Sequence, residues 1–563
     1  MCGFILTNFQ KIKSENTFLQ HRGPDNSGYF SDNHIRIIFN RLSIIDLDQA
    51  ANQPMKYEKF IIVFNGEIFN YLEIKNDLKK KGYSFKTKSD TEVLLKSYIE
   101  WGEKCLEKIE GMFAFSIYNV ITHEIFVARD PFGIKPIFFY KNDNQFIITS
   151  EKKAIFKFNV KKEINEKTLA NYLGNGIYQH DENTFYNNIY SLTPGSFLKI
   201  KNNKFYFFKW FELKKEINSK ISYQDAKHEL NNLLKESIKL CSRSDRKVSI
   251  ACSGGLDSSS IIMESLKLDI NKNIEYLLHW TCRDEYNEEL YAKEISKISK
   301  IKLLTSVLKK SEFNKYLKKC ILSVEEPIGG LNTISSRKTF ENLKRKNVPV
   351  ILDGNGSDEI LGGYQQHINA HNKNFLDYNS QPVQGLNINY HTEILSKNYK
   401  SLIDKFYIKK KFDDPLKDSM YNDLTGSKLR RTLIQQDHNS MSNSIEIRFP
   451  FLNKKLVNFC YSLPGKYLIN NNLGKYILRD LYKDKLLWEP KRAQQTPQIK
   501  WLNEFIINDL INSLKSEKIF FDHKIFDKKK LINRLIYWQK NKKTDSVFPW
   551  QVLMTYNFIK YCL

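Results

Sequence analysis

Residues 248–259 constrain the fold of this chain more than any other stretch. Val248-Ser249-Ile250-Ala251-Cys252 is a short apolar run, Ser253-Gly254-Gly255-Leu256-Asp257-Ser258-Ser259 follows it, and Ile- and Leu-rich sequence with helical character comes next. A strand that turns through paired glycines straight into a helix directs successive backbone N–H groups and the helix N-terminus at one point, which stabilises a phosphate. Ser253, Ser258 and Ser259 add hydroxyl donors, and Asp257 is a carboxylate suited to Mg2+. The Gly-Lys-Ser/Thr ending of a Walker A loop is missing. Pro349-Val350-Ile351-Leu352, followed by a second Gly-containing loop, repeats the strand–loop–helix form. Strands that alternate with helices imply a doubly wound parallel sheet, with ligands at the carboxyl ends of its strands. Tyr223 to Leu240 is helical by periodicity, and beyond about residue 400 the pattern is mostly helical.

The first 200 or so residues read differently, as strands and turns with a few helices. Phe60-Ile61-Ile62-Val63-Phe64 predicts a strand ending at an Asn65-Gly66 turn. Tyr71, Ile74 and Leu78 share one helix face, with Gly82 as the stop. Ser89-Asp90-Thr91-Glu92 has the form of a capping box ahead of a further helix. Met112–Tyr118 and Ile125–Arg129 predict the two buried strands of one hairpin.

A chain of 563 residues exceeds what one core usually sustains, so more than one domain is expected. Hydrophobic content of 41% excludes a mainly disordered chain. The 88 Lys and Arg against 63 Asp and Glu give a formal charge of +25, which invites a nucleic-acid or membrane partner. The lysines are scattered over helix-face positions without interleaved aromatics or a recognisable module, so neither partner is expected. None of the 8 cysteines forms a CxxC pair, which excludes zinc knuckles and thioredoxin-type motifs and fits a reducing compartment. Met1–Thr7 has no basic segment ahead of its apolar residues, and no run of uncharged apolar residues reaches membrane-spanning length. The expectation is a soluble cytoplasmic protein.

Removal of Met1 would make Cys2 the first residue, and a terminal cysteine combines a thiol nucleophile with an α-amine that can take its proton. Around it stand Met1-Cys2-Gly3-Phe4, His21-Arg22-Gly23-Pro24-Asp25, Arg41-Leu42-Ser43-Ile44-Ile45-Asp46, Asn65-Gly66-Glu67-Ile68-Phe69-Asn70, Ser89-Asp90-Thr91-Glu92 and Ala128-Arg129-Asp130-Pro131-Phe132-Gly133. In this order they resemble the class II glutamine amidotransferases of the N-terminal nucleophile hydrolase type. The 253–259 heptad resembles the pyrophosphate loop of the ATP pyrophosphatases. Glu325-Glu326-Pro327, Leu352–Tyr364, Asn439-Ser440-Met441-Ser442, Arg448–Leu452 and Lys475–Arg479 extend the likeness to the C-terminus. The whole chain is thus similar to the glutamine-hydrolysing asparagine synthetase family.

The resemblance implies an αββα four-layer sandwich over residues 1–205 and an ATP-pyrophosphatase domain over 215–563, with a helical C-terminal part. It implies that Cys2 attacks the glutamine amide, that Asn65 and Gly66 form the oxyanion hole, and that Arg41 pairs with the α-carboxylate. Glu67 and Asp90 would receive the α-ammonium, with backbone atoms of Ile44 and Ile45 lining the site. ATP would lie on Cys252, Ser253, Gly254, Gly255, Leu256, Asp257, Ser258, Ser259, Asp353 and Gly354. Asp257 and Asp358 would hold Mg2+, Lys475 would stabilise charge in acyl transfer, and Asn355, Asp358 and Glu359 would form the acceptor loop.

Asn355 departs from the family pattern, where that loop usually reads Gly-Glu-Gly and the Glu is implicated in amide formation; an Asn cannot act as a base near neutral pH. Related enzymes that amidate sugar uronic acids often carry Gln there. The stretch between Cys2 and His21 is short, and Ala50-Ala51-Asn52 stands where Gly-His is usual before Gln53-Pro54. The expected partners are glutamine, ATP and a carboxylate acceptor, aspartate first and a sugar uronic acid second, with a homodimer left open. A cyclase of the same superfamily has no need of the Cys2 site. A basic nucleic-acid-binding protein would need a module that is absent from the sequence.

Overall fold

The computed structural model describes residues 2–9, 18–284, 288–373, 392–405, 409–483, 496–517, 519–541 and 546–563. Met1 and the centre of the short segment before His21 therefore lie outside the described residues. In chain order the strands are β1 (Gly3–Thr7), β2 (Asn26–Ser31), β3 (Arg36–Arg41), β4 (Met55–Tyr57), β5 (Phe60–Ile68), β6 (Gly111–Asn119), β7 (Ile125–Arg129), β8 (Phe138–Lys141), β9 (Phe146–Thr149), β10 (Ile189–Ser191), β11 (Ser196–Lys201), β12 (Lys204–Lys209), β13 (Val248–Ala251), β14 (Ile274–Thr281), β15 (Leu303–Val307), β16 (Val350–Leu352) and β17 (Glu446–Arg448).

Two six-stranded antiparallel sheets come first, ordered β10-β8-β9-β1-β3-β2 and β12-β11-β7-β6-β5-β4. The alternation of side chains along each strand builds the layers. Phe4 and Leu6 of β1, Ile37 and Phe39 of β3, and Ile61 and Val63 of β5 meet between the sheets. Their neighbours Ile62 and Phe64 face outward, onto Ile74 and Leu78 of the helix Tyr71–Lys80 and Val93 and Leu94 of the helix Asp90–Trp101. On the opposite outside, Ile5, Ile38 and Ile147 pack on Leu169 and Leu173 of the helix Glu166–Asn175. That same core takes in Ile321 of the helix Phe313–Val324 and Met554 and Phe558 of the helix Val547–Cys562. This is the four-layer αββα sandwich, with one outer helical layer completed from the C-terminal half. Each large apolar side chain so buried contributes about 1.5–3 kcal/mol, so the two halves share stabilising surface.

The third sheet has the order β15-β14-β13-β16-β17, and all four pairings are parallel. Chain order reverses beside β13, so the crevice between the loops after β13 and β16 is the topological switch point where ligands bind in such sheets. The helix Leu256–Lys267 starts directly after the β13 loop, as the heptad requires.

Two local expectations are corrected. Asn65 and Gly66 make no turn; they lie within β5, opposite Ala114 and Phe113 of β6. Gly66 has φ +151°, and a Cβ there would come within 2.1 Å of the Met112 carbonyl oxygen, so the glycine serves close strand approach. Ser89 caps its helix by accepting the Thr91 N–H at 3.1 Å, but Glu92 does not complete a box. Its carboxylate takes the N–H groups of Lys86 and Thr87 and the Lys96 ammonium instead. Beyond residue 400 the described residues are mostly helical, as expected, and they add the strand β17, whose three residues are too few to show a period.

Candidate active sites

Cys2 immediately precedes β1 of one sheet and Asn65 lies on β5 of the other, so the thiol site opens between the two layers. The Cys2 N–H donates to Asn65 Oδ1 at 3.2 Å, and the thiol lies 4.0 Å from the Leu42 carbonyl oxygen. Burial pushes the thiol upward in pKa, while the amino-terminal charge, the Leu42 contact and Arg41 draw it down. Asn65 Nδ2 is buried and makes no hydrogen bond within the protein, leaving a free amide donor on the residue that holds the Cys2 backbone. An oxyanion hole requires such a donor.

Arg41 is held by its surroundings. Nη1 donates to the Asp48 carbonyl at 2.9 Å and to Asn52 Oδ1 at 2.8 Å, and Nη2 donates to the carbonyls of Asp46 and Ile45. Asn52, a departure from the family pattern, thus helps fix the arginine. The Ile44 carbonyl accepts the Asp245 N–H at 3.0 Å, and Asp245 Oδ2 accepts the Asp46 N–H at 2.8 Å, so this loop is clipped to the C-terminal half. Asp90 accepts the Ile68 N–H at 2.9 Å, and burial pushes its carboxyl up to about 6. Burial also raises Glu67 well above the carboxylate range, helped by Glu446 and Asp90 and opposed by Arg448.

At the switch point, Gly254 has φ +80°, and a Cβ on it would strike Tyr291 Cβ at 2.3 Å. Ser253 Oγ accepts the Gly255 N–H at 3.2 Å, Ser258 Oγ donates to the Gly255 carbonyl at 3.2 Å, and Ser259 Oγ is buried without a partner. Leu256 opens the helix. A Cβ on Gly354 would come within 3.0 Å of Asp257 Cβ, so the two loops abut. Cys252 is buried, and its thiol is pushed up to about 12, which leaves it inert.

Lys475 closes the arrangement. Its Nζ donates to Asp257 at 2.5 and 2.6 Å and to Ser357 Oγ at 2.9 Å, and pairs with Asp358 at 2.7 Å. Burial disfavours the ammonium, but Asp257 and Asp358 outweigh it and hold Lys475 above its ordinary pKa. Gly363 is required beneath it, since a Cβ there would meet Asp358 Oδ1 at 1.8 Å. Asp257 and Asp358 converge as two hard oxygen donors, the number Mg2+ takes when substrate phosphates and water supply the rest. Among the described residues no cluster of three metal-type ligands exists, so an all-protein metal cage is not what these carboxylates build. Asn355 folds back on Asp353, donating from its backbone N–H at 2.8 Å and from Nδ2 at 2.5 Å. Glu359 is raised by burial and by Asp358, and accepts the Tyr364 hydroxyl at 2.7 Å.

The sequence pattern did not single out the residues between the two sites. Arg22, fully buried, donates to the Cys2 carbonyl at 3.0 Å, to Glu151 at 2.9 Å and to Asp437 at 2.9 Å. Glu326 accepts Lys152 and Gln179, and Glu325 accepts the Lys153 N–H, so the Glu-Glu-Pro motif faces the sandwich. Arg22 and Glu325-Glu326 stood within quoted motifs, but only the tertiary fold brings them to the contact.

Comparison with known proteins agrees with this geometry. Residues 1–211 match the glutamine amidotransferase domain family and residues 229–559 the asparagine synthase family. The chain belongs to the asparagine synthase family. It is 28% identical to asparagine synthetase [glutamine-hydrolyzing] 1 of Bacillus subtilis (strain 168), over 93% of this chain and 92% of that one. It is 30% identical to a putative asparagine synthetase [glutamine-hydrolyzing] 2 of Methanocaldococcus jannaschii, over 78% of this chain and 91% of that one. This asparagine synthase family member is a glutamine-dependent carbon–nitrogen ligase with ATP as substrate. No described helix in it is long and apolar enough to cross a membrane.

Proposed function

We propose that the chain converts aspartate to asparagine through an acyl-adenylate. Cys2 attacks the side-chain amide of glutamine as its proton passes to the α-amine. Asn65 Nδ2 stabilises the tetrahedral oxyanion, ammonia leaves, and water releases glutamate from the thioester. Glu67 and Asp90 receive the substrate's α-ammonium. Arg41, with Ile44 and Ile45 around it, orients the α-carboxylate through its clamped guanidinium. At the second site the acceptor carboxylate attacks the α-phosphorus of ATP, and pyrophosphate departs toward the Ser253–Ser259 loop. Ammonia then attacks the activated carbonyl and AMP leaves. Asp257 and Asp358 would hold a Mg2+ that neutralises the triphosphate. Free ammonia is mostly protonated at neutral pH, so it passes between the sites within the contact surface.

The observation that carries this reading is the bridge from Lys475 to Asp257 and Asp358. It puts a buried cation between the pyrophosphate loop and the acceptor loop, where negative charge develops in both half-steps. A cleft at the carboxyl end of β14, lined by His279, Trp280, Thr281, Cys282, Asn332 and others, lies on the same edge of the sheet and is the proposed place of the nucleoside. All eight cysteines are unpaired, which supports a reducing cytoplasm as the site of reaction.

A sugar uronic acid is the second reading, favoured by Asn355, whose amide is bonded to Asp353 and offers no base. The test is acceptor-dependent pyrophosphate release from ATP. Asp257→Ala should lower it at least ~100-fold, the scale of losing a main electrostatic stabiliser. Unchanged release would remove the loop from catalysis, and release stimulated by uronic acids but not by aspartate would transfer the function to the second reading.

A further inference from the structure

Glu67 sits on a sandwich strand, yet the groups that dominate its charge come from both halves of the chain. Asp90 faces it from the helix Asp90–Trp101, Tyr71 from the helix Tyr71–Lys80, Cys2 and the amino-terminal charge from the start of β1, and Glu446 and Arg448 from β17. Glu67 Oε1 lies 3.7 Å from Arg448 Nη2, and Glu67 Oε2 is buried with no donor bound to it. Arg448 is rigidly held: Nε donates to Glu446 Oε1 at 2.6 Å, and Nη1 to the carbonyls of Cys241 at 2.8 Å and Arg243 at 2.5 Å. Its guanidinium lies 5.5 Å from the Phe69 ring centroid. Nη2 alone makes no hydrogen bond, and it is the nitrogen nearest Glu67.

We propose that Arg448 and Glu446 are positioning residues for glutamine: from the synthetase half they hold Glu67 and fix the charge it presents to the substrate's α-ammonium. This rests on Glu67 being an ammonium receiver. Glu67, Asp90 and Glu446 bring three buried carboxyl groups together, opposed by Arg448 and the amino-terminal charge, and an arriving ammonium favours their ionised forms. The glutamine site is therefore incomplete without β17. Arg448 also faces the other site, since its carbonyl accepts the Asp353 N–H at 2.9 Å. Side-chain variants at 448 leave that backbone contact in place.

The two residues act on Glu67 with opposite sign. Arg448 favours its ionised form and Glu446 opposes it. Glu67 interacts most strongly with Glu446 and next with Asp90, so the cluster is read as one acid limb. The full-length chain is assayed for glutamate release from glutamine without ATP, as kcat/KM from about pH 5 to 8, where the acid limb reports the free enzyme. Arg448→Met should move the limb up and Glu446→Gln should move it down, each by about one pH unit. A purely structural role lowers the rate without moving the limb in opposite directions. Limbs that stay put, or that move the same way, overturn the proposal. If Arg448→Met does not fold, the nearly isosteric Glu446→Gln decides alone: a downward limb supports the proposal and an unmoved one overturns it. Glu67→Gln separates the two layers of argument. It should raise KM for glutamine at least ~10-fold; an unchanged KM removes Glu67 from glutamine binding and the inference with it. A raised KM with unmoved limbs in the other variants overturns the inference alone.

Discussion

At Cys2 two demands oppose each other. The thiol must be buried to react away from bulk water, yet burial disfavours the thiolate that reacts. In the proposed mechanism the α-amine resolves this by taking the proton during attack rather than before it. Cys2→Ala should therefore abolish glutamine-dependent amidation, while amidation supported by added ammonium salts continues at a comparable rate. Parallel assays with the two nitrogen donors check it, and equal loss in both would deny the division of labour. Asn355 is the opposite case, a residue whose chemistry was clear from the sequence but whose geometry was not. That an Asn cannot act as a base follows from its type; that its amide turns back onto Asp353 follows only from the loop's path.

At the scale of elements, the β13 loop was the most legible part of the chain. Its strand, glycines and helix follow one another in sequence, and local rules suffice to place them. Gly254→Ala tests the most demanding point. With φ +80° and Tyr291 Cβ 2.3 Å from the new methyl, the loop must rearrange, at a cost of about 1–3 kcal/mol. Thermal melting should shift down by a few degrees, and ATP should no longer raise the melting temperature. Retention of that ATP-dependent rise would mean the loop keeps its shape without the glycine. Other elements were opaque for identifiable reasons. Asn65-Gly66 carries a hairpin signal, but β6 lies across it and keeps it extended. Ser89 and Glu92 fit a capping pattern, but Lys96 and the 86–87 backbone compete for the Glu. β17 is set by its partner β16, not by its own three residues. The candidate site residues came from motif order, whereas Arg22, Asp437, Glu446 and Arg448 matter through contacts between segments hundreds of residues apart, which no local pattern encodes.

The two halves of the molecule meet through residues that neighbour the two candidate sites. Arg22 joins the Cys2 carbonyl to Asp437, the 44–46 loop is clipped by Asp245, and helices from the C-terminal half cover the outer face of the first sheet. Such a contact suits the proposed reaction, in which ammonia made at one site is used at the other. The formal charge of +25 belongs to no single patch in this account; its chemically engaged members, Arg22, Arg41, Arg448 and Lys475, are buried among carboxylates and carbonyls. The most direct test supplies glutamine labelled with nitrogen-15 in its side-chain amide, together with ATP and aspartate, and follows the label and the nucleotide together. The account predicts labelled asparagine, with one AMP and one pyrophosphate formed for each. Label recovered only as free ammonium, with ATP unconsumed in the presence of either aspartate or uronic acids, would contradict it.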